Sequence, residues 1–256
     1  MQAIFDAHIH LWNLDKLDIS WLENDESLKQ DFEFKDLQKE YQDFHFLGGL
    51  YIEVNSDDKA KEALFALELQ RLYKLELCLA DLVCKEKICA FREVMHTSKN
   101  GAKRLFDEDF KAIALKLIEH DLAFEACIKS EDLALLIEFL KQNPELKVVL
   151  NHLGSLGLND LKIYEENLKA LASFSKVYVK ISALDEFCKD TPKDFIFKLF
   201  HLAKKHFGEQ RLIYGSNYPV AKLSPKEWIC LIKQSKVFED LDALFYKNAL
   251  RVYKGK

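Results

Sequence analysis

The chain has 256 residues, 49% hydrophobic and 31% charged, with a net charge of −5 and acidic and basic residues interspersed. That mixture suits one globular unit over residues 1–256, able to bury a full core without staples, and argues against nucleic acid or anionic membrane as a partner. No window approaches eighteen apolar residues, and Met1-Gln2-Ala3-Ile4-Phe5-Asp6 lacks the basic segment and apolar run of a signal peptide. The six cysteines show no secreted spacing pattern, and Cys84 and Cys89 are too far apart for a CxxC motif, so free thiols in a reducing cytoplasm are expected.

The first predicted strand, 4–8, runs on into Ile9-His10-Leu11. Phe5, Ala7, Ile9 and Leu11 alternate with Asp6, His8 and His10, so the spacing puts the two histidines on one face with Asp6. If the apolar face packs on helices, the polar face looks inward. There His8 and His10 either converge on one ion or form a hydrogen-bonded core pair. Residues 11–46 are long for one connecting unit and predict a lid or pocket wall, with Trp12 and Trp21 in it. The strand 48–54 offers Glu53 to the interior. The helix 59–73 places Ala60, Ala63, Leu64, Leu67 and Leu72 at helical spacing.

Strands follow at 77–83 and 88–94. Their link is too short for a helical crossover, so the helix between the third and fourth strands is expected to be missing. Arg92 ends the fourth strand. It either forks a carboxylate or lactone oxygen or lies on the surface. A helix over 110–120, a strand over 122–127 with Glu125 inward, and a helix over 130–142 starting at Ser130 come next. The strand 147–152 is apolar up to Asn151-His152, which stand at its carboxyl end before Gly154. His152 together with His8 and His10 suggests a three-imidazole site, and imidazoles suit zinc or another borderline divalent ion.

After a helix over 164–173, the strand 177–182 alternates. Val177, Val179 and Ile181 face helices, and Tyr178, Lys180 and Ser182 face the interior. A buried lysine is costly unless it is paired or meets a ligand. Glu53 and Glu125 either serve the chemistry or balance Lys180 and Arg92. A helix over 194–207 and a strand over 211–216 complete the series, which ends in the turn Asn217-Tyr218-Pro219. Strand alternating with helix predicts a parallel sheet. Eight such units in this length predict a (β/α)8 TIM barrel with its site at the carboxyl ends of the strands. A doubly wound sheet is the alternative, but no strand is followed by a glycine-rich phosphate turn.

In order, Asp6-Ala7-His8-Ile9-His10-Leu11-Trp12, Ser20-Trp21-Leu22, Val149-Leu150-Asn151-His152-Leu153-Gly154, Val179-Lys180-Ile181-Ser182 and Leu212-Ile213-Tyr214-Gly215-Ser216-Asn217-Tyr218-Pro219 resemble the amidohydrolase-related TIM-barrel hydrolases. The likeness is to their lactonase branch, which includes the L-fuconolactonases and the 2-pyrone-4,6-dicarboxylate lactonase. It implies His8, His10 and His152 as ligands of a divalent metal, zinc first, or of the substrate itself. It implies Arg92 and Lys180 as substrate-binding residues, and a small lactone or sugar acid as the ligand. The branch carries Asp where this chain has Asn217, and that Asp binds metal or takes the proton of the attacking water. An amide cannot take that proton. Three explanations are open: a native Asn branch with Glu53 or Glu125 as base, an engineered change, or lost catalysis. The expected activity is opening of a sugar-acid lactone. A decarboxylase or amidase on the same scaffold, or a sugar-acid binder, are the alternatives.

Overall fold

Short β-branched and apolar runs form strands here because each is buried on both faces, and the helices between them cover only the outer one. The computed structural model describes residues 1–80, 82, 85–155, 157–184 and 193–255. In chain order the strands are β1 (Ala3–Ile9), β2 (His45–Ile52), β3 (Glu76–Leu79), β4 (Ala90–Val94), β5 (Ala123–Cys127), β6 (Val148–Leu150), β7 (Val177–Ile181) and β8 (Leu212–Tyr214). The longer helices are α1 (Phe34–Glu40), α2 (Lys59–Tyr73), α3 (Glu108–Glu119), α4 (Leu133–Gln142), α5 (Leu161–Ala172), α6 (Lys193–Phe207), α7 (Pro225–Ser235) and α8 (Asn248–Lys254). Neighbouring strands pair in parallel in the order β1 to β8. The barrel closes beyond the last ladder, where Asn217 N donates to His8 O at 2.9 Å and His10 N to Tyr218 O at 2.8 Å.

This is the (β/α)8 barrel that the sequence predicts. Between β3 and β4 no helix occurs among the described residues; Asp81, Val83 and Cys84, on which part of that expectation falls, lie outside them. Likewise no described helix is long and apolar enough to cross a membrane.

Two apolar clusters separate inside from outside. Phe5, Ala7, Leu50, Ile52, Cys78, Ala90, Ala123, Val149 and Ile213 come from seven strands and meet Ala249, Val252 and Tyr253 of α8, so this cluster fills the barrel and α8 plugs its amino-terminal end. The outer cluster joins Tyr51, Leu77, Phe124, Val179 and Ile181 to the helices. On β7 the expected faces are found, with Val177, Val179 and Ile181 outward. On β1 they are not. Phe5 and Ala7 belong to the interior, while the Asp6 carboxylate meets the hydroxyls of Tyr41 and Ser216. The register on β2 shifts between Asp6 and Ile9, and beyond the shift Ile9 and Leu11 join the outer cluster. A bulge exchanges the faces of a strand, so strict alternation fails for the first half of β1 and holds for the second.

Candidate active site

The carboxyl ends of the strands open into a cavity of about 260 Å3. His10, Glu53, Arg92, His96, Cys127, His152 and Asn217 line it, and Trp21 forms part of its wall. Trp21 belongs to the long first loop and is held by its indole N–H donating to Val54 O at 2.8 Å. Trp12 is fully buried behind it, edge-on at 6.2 Å between ring centroids.

Three imidazoles gather at the floor. The His8 and His10 rings are 4.9 Å apart between centroids, and His8 and His152 are 4.7 Å apart. His8 Nε2 lies 3.1 Å from His10 Nε2, His10 Nδ1 lies 3.1 Å from Ile52 O, and His152 Nδ1 lies 2.7 Å from Ser182 Oγ. His152 sits in the turn after β6 with φ of 52°. A non-glycine residue in that left-handed region costs on the order of 1 kcal/mol, and the surroundings must supply it. Asn217 has φ of 61°, a conformation that Asn tolerates better than most residues.

Burial first, and then the charges of Arg92 and Lys180, push the His152 imidazole well below its usual range. His8 is lowered by burial, then by Lys180 and the other two histidines. For His10, burial and Arg92 outweigh the opposing Glu53 and bring it to about 3. At neutral pH all three rings are therefore uncharged, in a field that favours anions.

The two inward glutamates are both committed. Glu53 accepts from Arg92 Nη1 at 2.9 Å, from Asn55 N at 2.7 Å and from Lys59 Nζ at 3.2 Å. Burial opposes its ionisation, but Arg92 and Lys59 prevail and hold its carboxyl below the ordinary value. Glu125 does not line the cavity. It lies beneath it, fully buried, and accepts from Lys180 Nζ and Asn151 Nδ2 at 2.5 Å each and from the Tyr253 hydroxyl. Lys180 is also fully buried, and its Nζ reaches His8 Nδ1 at 3.3 Å. The sequence-derived set is thus split by depth: His10, His152, Arg92, Glu53 and Asn217 face the cavity, and His8, Lys180 and Glu125 support it from below.

Arg92 Nε is buried without a hydrogen-bond partner. Such a donor costs about 1–3 kcal/mol unless a ligand satisfies it. His96, missed in the sequence, stands just past the end of β4, where barrel enzymes keep functional groups. Burial, Arg92 and Lys129 lower its basicity. Cys127, at the end of β5, was missed because it reads as an ordinary core thiol; it contacts Arg92.

These donors do not suit a shared divalent ion. Among the described residues no three His, Cys, Asp or Glu side chains are arranged to hold a metal. The position that would add an anionic ligand is Asn217, and the cationic Arg92 and Lys180 beside the imidazoles oppose a dication.

A family model for amidohydrolases matches residues 82–255. An L-fucono-1,5-lactonase of Burkholderia ambifaria is 26% identical over 113 residues, which span 42% of this chain and 38% of that protein. An amidohydrolase 2 structure from Bifidobacterium longum subsp. infantis is 25% identical over 99% of both chains, with a TM-score of 0.80. A zinc-bound amidohydrolase from Burkholderia multivorans superposes with a TM-score of 0.87 at 20% identity, over 98% of this chain and 99% of its own, a likeness of fold. With the barrel, the histidines on β1 and after β6, and a family match over most of its length, the chain belongs to the amidohydrolase family.

Proposed function

We propose that this amidohydrolase opens the ring ester of a small polar lactone, with a sugar-acid lactone as the substrate class. The observation that carries this reading is the cluster of neutral imidazoles beside Arg92 in a cavity of about 260 Å3. A cavity of that size suits one small ring, and the cationic field suits the oxyanion and the carboxylate that ester hydrolysis creates. The lactonase among the relatives supports the same class. Free thiols at Cys78, Cys89, Cys127 and Cys230 suit a reducing cytoplasm.

In the proposed reaction, water oxygen bonds to the carbonyl carbon and the carbonyl π pair moves onto oxygen, facing Arg92 and the imidazoles. His152 takes the water proton. The carbon–oxygen ring bond then breaks, and the leaving oxygen receives that proton. Part of what suppresses His152 basicity is the charge of Arg92 and Lys180. An oxyanion formed beside them offsets that part, so His152 becomes a better base as the charge develops.

The test is a panel of aldonolactones followed by acid release. At least one lactone should turn over at a rate within the usual enzyme range, about 1–10³ s⁻¹, and His152→Ala should lower it roughly 10²–10⁴-fold. Lactones that bind without being opened would make the chain a sugar-acid binder. Turnover confined to amides, or release of carbon dioxide, would replace the lactonase reading with the amidase or the decarboxylase.

A further inference from the structure

We propose that Lys180 is a positioning residue that fixes the tautomer of His8, so that His8 and His10 form a donor–acceptor pair and not two ligands of one cation. The starting observation is ambiguous. Two imidazole nitrogens 3.1 Å apart fit a hydrogen bond. They also approach the spacing of about 3.3 Å expected for two ligands bound tetrahedrally to zinc at 2.0–2.1 Å. What decides between these is the far nitrogen of each ring.

On His10 the far nitrogen, Nδ1, faces the carbonyl oxygen of Ile52 at 3.1 Å. A carbonyl only accepts, so Nδ1 carries the proton and Nε2 is bare. On His8 the far nitrogen faces Lys180 Nζ at 3.3 Å. An ammonium only donates, so His8 Nδ1 is bare and its single proton lies on Nε2. His8 Nε2–H therefore donates to His10 Nε2. The chain from Lys180 through His8 and His10 to Ile52 O has a donor-only group at one end and an acceptor-only group at the other. Each bond within it has one donor and one acceptor.

A cation between the rings would need a bare Nε2 on both. His8 would then carry its proton on Nδ1, aimed at the Lys180 ammonium in a fully buried place. Metal-bound histidines normally turn the other ring N–H toward a carboxylate, carbonyl or water. His10 meets that condition and His8 does not.

Lys180 is held in this posture from below. Its ion pair with Glu125 is 2.5 Å long with both side chains fully buried, and Asn151 and the Tyr253 hydroxyl bind the same carboxylate. Gly215 leaves the room it needs, because a Cβ there would lie 3.3 Å from Lys180 Cδ and 2.7 Å from His8 Cβ. Tyr253 belongs to α8, so the tautomer lock runs from the plug of the barrel to the floor of the cavity.

Nitrogen-15 NMR of the imidazoles reads the tautomer directly, and it does so whether or not any lactone is turned over. His8 in the unaltered protein should show a protonated Nε2 and an unprotonated Nδ1. The double variant Lys180→Met, Glu125→Gln removes the ammonium without stranding a buried carboxylate. In it the Nδ1–H form of His8 should appear. Equilibrium dialysis against zinc alone gives a second readout: no stoichiometric retention by the unaltered protein, and affinity at least tenfold higher in the double variant. Tyr253→Phe, which leaves the Lys180–Glu125 pair in place, should keep His8 protonated on Nε2 while the fold stays intact. A His8 protonated on Nδ1 in the unaltered protein would overturn the proposal, as would retention of one zinc per chain with His8 Nε2 bare.

Discussion

Asn217 lines the cavity among the neutral imidazoles, and its backbone N–H binds His8 O. Its left-handed φ suits Asn and Asp alike. Asn217→Asp is therefore expected to fold, and steady-state kinetics on a lactone substrate will show what the amide does. If His152 is the base, the added carboxylate leaves kcat flat or lowers it, because it offsets the field that favours the oxyanion. A rise on the order of 10²-fold or more would instead show that a base had been missing. At this scale the sequence was informative about identity and poor on depth. His8, Lys180 and Glu125 carry the right chemistry at the right strand ends. A sequence cannot show that Glu125 is taken up by Tyr253, a partner 128 positions away. His96 and Cys127 were overlooked because neither belongs to a repeated spacing.

Among the elements, β1 shows where periodicity fails. Alternation assigns Asp6 to the face of His8 and His10, yet the shift of register between Asp6 and Ile9 turns Asp6 outward. There it clamps the closing seam, accepting from Ser216 N at 2.9 Å, Ser216 Oγ at 2.5 Å and His8 N at 3.1 Å. A bulge depends on what the partner strand offers, and that partner, with Gly48 and Gly49, lies some forty residues away. β7 has no such shift and reads correctly. The β1–β8 seam also gives a sharp steric test. A Cβ on Gly215 would lie 2.7 Å from His8 Cβ, closer than real Cβ contacts come. Gly215→Ala should cost about 1–3 kcal/mol of stability, seen in urea as a lower midpoint with an unchanged slope, and should lower kcat by moving His8. An unchanged midpoint would mean that the seam is looser than described.

Over the whole molecule, the barrel was legible because eight strand-like runs alternating with helices in this length admit few other closures. The plugging of the barrel by α8 was not, since a terminal amphipathic helix reads the same wherever it docks. Burying three neutral histidines also makes stability depend on pH. The His10 pKa falls from 6.5 to about 3 on folding, with burial the main cause. Between those values the unfolded chain binds a proton that the folded chain does not, so stability falls as pH drops from about 6.5. Each such group contributes up to about 1.36 kcal/mol per pH unit. Asp6 and Glu62, raised by burial, act in the opposite direction at lower pH. Urea unfolding between pH 7 and 5 should therefore show declining stability, and His10→Gln should decline less steeply. Equal slopes would mean that His10 is charged in the folded state.

The most direct test of the proposal that this amidohydrolase opens lactones with its histidines as hydrogen-bonding groups is turnover of the best lactone substrate before and after exhaustive chelation, with zinc then added back. Turnover should persist through chelation and should not rise on adding zinc. Loss of activity on chelation with full recovery on zinc would contradict it.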